Sequence, residues 1–143
     1  LWTKNWTDGG PIPQRHAAGR PDEQSTVTFS DNVSPHLAWS DVPAATWAAW
    51  RSDVTWCPPG GESLAALGAR VREACESLVG EATARDVVVV SHVSPIKAAV
   101  AWTLGVGDDV AWRMWVAPAS ITRIALAGRT PSLRAFNELA HLG

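Results

Sequence analysis

One twelve-residue stretch constrains this chain more than any other: Asp86-Val87-Val88-Val89-Val90-Ser91-His92-Val93-Ser94-Pro95-Ile96-Lys97. Four consecutive valines make a short β-branched apolar run, the pattern of a strand buried on both faces of a parallel sheet. A helix start follows at once, with Ser94 expected as N-cap and Pro95 at the first helical position. His92 is thereby predicted at the carboxyl end of a central strand, beside a helix N-terminus. Open α/β sheets place their ligand sites at that edge. A helix N-terminus offers unpaired N–H groups and partial positive charge. The local expectation is a histidine facing a phosphate or carboxylate.

The remaining sequence supplies layers to cover such a strand. Leu64, Leu67, Val71, Cys75 and Leu78 recur at steps of three and four, which predicts a helix over Glu62–Gly80 ended by its glycine. Trp47 and Trp50 lie on a shorter helical stretch, Pro43–Val54, stopped by Cys57-Pro58-Pro59-Gly60-Gly61. A helix is expected from Pro95 to Leu104, closed by Gly105, and another short one over Val110–Val116. Ile121–Ala127 and Ser132–Asn137 read as a hairpin around Gly128-Arg129-Thr130-Pro131. Helices alternating with strands imply an α/β layered fold. Residues 1–40 are rich in Gly, Pro, Ser, Thr, Asp and Asn and are expected to be mostly irregular, with Ser25–Phe29 as the one candidate strand. The expected organisation is thus an irregular segment, 1–40, followed by a patterned portion, 41–143.

Composition narrows the class. With 143 residues and 46% apolar content, one core can be built. A formal net charge of -2 leaves no basic footprint for nucleic acid, and no apolar run reaches membrane-spanning length. Two cysteines, Cys57 and Cys75, with no CxxC, point to reduced thiols and a cytoplasmic setting. The four histidines show no metal-ligand spacing, so no metal or other cofactor is expected. His36 and His141 are isolated, Lys97 reads as a surface charge, and Trp102, Trp112 and Trp115 read as core or interface filler.

From Pro43 onward the residues resemble the histidine phosphatase superfamily, the phosphoglycerate mutase-like proteins. The resemblance runs through Trp47, Trp50 and Asp53 and through Pro58-Pro59-Gly60-Gly61-Glu62-Ser63. It continues through Arg70-Val71, Ser91-His92 with Pro95-Ile96, Leu104-Gly105, Arg113, Ser120-Ile121-Thr122, Leu133, Phe136-Asn137 and His141-Leu142. The wording around His92 is similar to acid phosphatase and α-ribazole phosphatase-type domains. The resemblance implies a three-layer α/β phosphoglycerate mutase-like fold, incomplete at its N-terminus. It implies a phosphatase or phosphomutase acting on a small phosphorylated metabolite through a phosphohistidine. His92 would be the second pocket histidine, and the Val93 N–H part of the anion cradle. In the family the nucleophile belongs to an Arg-His-Gly motif after an apolar strand. The only Arg-His here is Arg15-His16, between Pro11, Pro13 and Gly19, without that strand. Glu62 and Arg113 are weaker candidates: Glu62 as a helix-start residue, Arg113 as a rim cation. The alternative function is a catalytically inactive remnant that binds anions or partners. Neighbouring strands that the family has beside the valine run are not recognisable in residues 1–40. Low solubility, or association with a partner such as another copy in a homo-oligomer, is the expected consequence.

Overall fold

The computed structural model describes the backbone of residues 25–29 and the full structure of residues 43–57 and 61–143. Along the chain run β1 (Ser25–Phe29), α1 (Ala44–Ser52), α2 (Leu64–Ala82), β2 (Val87–Ser91) and α3 (Val93–Leu104). A 3-10 segment (Asp108–Arg113), β3 (Ile121–Ala127), β4 (Thr130–Glu138) and a closing 3-10 turn (Ala140–Leu142) complete the order. β1 pairs with β2 in parallel, Ser25 opposite Val87 through Phe29 opposite Ser91. β3 and β4 form an antiparallel hairpin, with register shifts near Arg123. The candidate strand Ser25–Phe29 therefore exists, and it pairs with a strand that begins only at Val87.

The centre of the molecule is helical. The α2 stripe buries Leu64, Leu67, Val71, Ala74 and Val79, and α3 answers with Ala98, Val100 and Ala101. Val54, Cys75, Ala99 and Trp112 pack around this cluster. Ser63 caps α2, its hydroxyl accepting from the Ala66 N–H at 3.1 Å. Gly80 does not end the helix. α2 continues to Ala82, where the Thr83 N–H still bonds to the Val79 carbonyl and Arg85 pairs with Glu81. A glycine without a left-handed conformation weakens a helix without stopping it. Gly105 does stop α3: its φ of 65° is the left-handed C-cap that the sequence calls for. Gly128, at φ 66°, turns the hairpin in the same conformation.

Three further expectations are corrected. The helix anticipated over Val110–Val116 is a 3-10 segment that starts two residues earlier, at Asp108, where Arg72 donates through Nη1 and Nη2 to the Asp108 carboxylate at 2.7 and 2.9 Å. β4 begins at Thr130, so Pro131 lies within a strand; the hairpin has two strands, and Pro is tolerated at such an edge. Trp115 is 75% exposed and fills no core.

The largest departure concerns β2. Its valines were expected to be buried, yet Val88, Val89 and Val90 are 38%, 43% and 52% exposed. Successive strand residues point to opposite faces, so both faces of β2 are open. The cause is topological: among the described residues β2 has one strand neighbour, β1. A valine run is buried by the layers on either side of it, and those layers are thin here.

Candidate functional site

The site is assembled where β2 hands the chain to α3. The extended conformation of the valine run persists to His92, whose φ of -104° and ψ of 174° make it the N-cap of α3. The helix therefore begins at Val93, with Ser94 second and Pro95 third, instead of a Ser94 cap with Pro95 first. The Ile96 N–H already closes onto the His92 carbonyl at 3.1 Å, which leaves Ser94 inside the first turn. The first N–H groups of a helix have no partner within it. Pro95 contributes none, so Val93 and Ser94 carry the amides that face out of this N-terminus. His92 and Val93 are both exposed, Val93 at 42%, and Ser94 is half-buried.

The other candidates are placed as follows. Arg15, His16 and His36 lie outside the described residues. Glu62 is half-buried and engaged with Arg70, its two oxygens accepting at 3.2 and 2.7 Å. That bidentate pair ties the approach to α2 onto the helix's second turn, so Glu62 acts on the framework as a helix-start residue. Arg113 ends the 3-10 segment and is exposed. His141 is exposed, its Nε2 2.9 Å from the Ala119 carbonyl. Lys97 is half-buried instead of a surface charge, and burial lowers its pKa. Cys57 is an exposed thiol. Burial, with the neighbouring Glu76 carboxylate, pushes the Cys75 thiol up to about 11. Asp53 is held below the usual carboxylate range by the Thr55 hydroxyl and N–H, at 2.7 and 2.8 Å. Among the described residues no three of His, Cys, Asp and Glu gather as metal ligands, and no helix is long and apolar enough to cross a membrane.

An aromatic cluster was not anticipated, although the spacing of Trp47 and Trp50 signals it. Their rings stack at 5.5 Å, and both meet Trp112 nearly at right angles, at 6.4 and 5.4 Å. The Arg51 guanidinium lies over Trp47 and Trp112 at 5.7 and 5.8 Å.

An exposed histidine between a parallel strand's carboxyl end and the first turn of the next helix sits at the edge where α/β proteins place their ligand sites. Comparison with known families and structures narrows this. The histidine phosphatase superfamily (branch 1) matches residues 34–139, and the chain belongs to that family. The bifunctional protein Rv2228c of Mycobacterium tuberculosis is 33% identical over 94 residues, covering 65% of this chain and 26% of that protein. Among solved structures, mycobacterial hydrolase 1 is 30% identical with a TM-score of 0.57, covering 71% of this chain and 55% of the other. Mycobacterial glucosyl-3-phosphoglycerate phosphatase Rv2419c, in complex with VO3, is 30% identical with a TM-score of 0.54, covering 68% and 53%. A phosphoserine phosphatase mutant from Entamoeba histolytica, with phosphoserine, is 22% identical with a TM-score of 0.58, covering 67% and 50%, and supports the fold. The chain thus spans about a quarter of the curated relatives it matches and about half of the matched structures. The mixed helix and strand architecture is the phosphoglycerate mutase-like fold of these phosphatases.

Proposed function

We propose that this chain is part of a phosphatase or phosphomutase acting on a small phosphomonoester through a phosphohistidine, with His92 as the second histidine of the phosphate pocket. The observation that carries this reading is the placement of His92 at the N-cap of α3, open to solvent and adjacent to the outward amides of Val93 and Ser94. Phosphoryl transfer spreads negative charge over three equatorial oxygens, and a site accelerates it by presenting fixed positive charge and N–H donors to them. An imidazole N–H and two helix-start amides are donors of that kind. The family match and the phosphatases among the similar structures support the same reaction class. The nucleophile would be a different histidine; the one Arg-His pair of the sequence, Arg15-His16, is its candidate.

Hydrolysis of p-nitrophenyl phosphate by the full chain tests the reading. His92→Ala is expected to lower kcat/KM by about a hundredfold, the usual cost of removing one charge-stabilising donor. His16→Ala tests the nucleophile separately and is expected to abolish turnover. Undiminished turnover in His92→Ala would overturn the assignment of His92. Absence of turnover with phosphate still binding at His92 would assign the chain to the inactive, anion-binding alternative.

A further inference from the structure

We infer that α1 is a reversibly docked helix, latched to the rest of the molecule by the ring of Trp112. α1 is nine residues long and has no buried residue, whereas α2 buries six. A helix this short is marginal on its own in water, so its persistence depends on what it rests against. Trp47 and Trp50 present their stacked rings to Trp112, and Arg51 lies across the Trp47 and Trp112 rings. Trp112 is fixed from behind. It packs on the Leu64–Leu67–Val71–Ala98 cluster, and the 3-10 segment that carries it is held by the Arg72–Asp108 fork.

The geometry also supplies a hinge. Immediately after α1 the Val54 carbonyl accepts from the Ala65 N–H at 2.9 Å, and the Val54 side chain packs on the core. The chain is thereby anchored between the helix and the body, and α1 can leave without disturbing α2 or α3. The latch carries its own counterweight. Trp112 Nε1 is buried and finds no acceptor among the described residues. A buried donor without a partner penalises the docked state, and water would satisfy it in the open one. Aromatic and cation–π contacts hold the helix down while this orphaned N–H favours release.

Hydrogen exchange on the full chain tests the inference, because it reads local opening separately from global unfolding. Trp47→Ala alters only the helix side of the latch and leaves the core untouched. Amides of residues 44–52 are expected to exchange at least about tenfold faster, with α2 amides from Val71 to Ala74 unchanged. Trp47→Phe, which keeps a ring against Trp112, is expected to fall between wild type and Trp47→Ala. Unchanged exchange in 44–52 would overturn the latch. An equal acceleration across α1, α2 and α3 would also overturn it, since α1 would then belong to the cooperative core.

Discussion

The α2 stripe and the β2 valines are equally apolar runs with opposite fates. Val71 of α2 is 2% exposed; Val90 of β2 is 52% exposed. The α2 residues meet α3, Trp112 and Val54, whereas among the described residues β2 pairs with one parallel strand and touches α2. Apolar side chains stabilise in proportion to the area they lose to water, so an identical residue is worth several times more in the helical body than on the valine strand. The body holds the fold, and the strand serves mainly to deliver His92 to the mouth of α3.

Mutations can break this comparison. The largest effect is expected from Leu67→Ala, which opens a cavity in the cluster and should cost about 2–5 kcal/mol in urea unfolding. Gly68→Ala should cost about 1–3 kcal/mol by the same measurement. A Cβ at that position runs into the Asp108 carboxylate and would displace the Arg72 fork. A cost near zero would show that the 3-10 segment yields freely.

pH sharpens the contrast further. The Cys75 thiol sits at about 11 in the folded chain against an ordinary 9.0. The unfolded chain therefore loses this proton first as pH rises, while the folded chain keeps it. Below about pH 9 both states are protonated and the contribution is intact. Between about 9 and 11 stability should fall with rising pH, by roughly 3 kcal/mol at most. Cys75→Ala should remove that part of the slope in melts recorded across the range. An identical slope would mean the thiol is not buried in solution.

The smallest stability effect is expected on β2. Val89→Lys should change unfolding free energy by less than about 1 kcal/mol, because the side chain already faces water. It should, however, reduce concentration-dependent self-association in sedimentation, since a charge on an open apolar strand opposes pairing with another copy. A loss comparable to Leu67→Ala would show that β2 is covered in solution.

Much of this architecture was readable in the residues. The three-and-four spacing from Leu64 to Leu78 is local information, as are Gly105 as a C-cap and the hairpin around Gly128, although the structure buries Val79 more deeply than Leu78. What escaped was long-range or competitive. Nothing in Ser25–Phe29 announces that it pairs with a strand that begins only at Val87. The 3-10 start at Asp108 depends on Arg72, 36 residues earlier. Ser94 carries a better capping side chain than His92, yet the strand geometry runs one residue past Ser91 and claims the cap for the histidine. The run of valines correctly announced a strand but could not announce its cover, because burial is a property of neighbours. For the candidate site, the sequence proposed His92 and Val93, and the structure shows both exposed at the start of α3.

Histidine and amide NMR of the full chain during titration with inorganic phosphate tests the central claim most directly. The His92 ring and the Val93 and Ser94 amides are expected to shift together and saturate, with a Kd no weaker than ~10 mM. Shifts absent from those three positions, or centred elsewhere on the molecule, would contradict that claim.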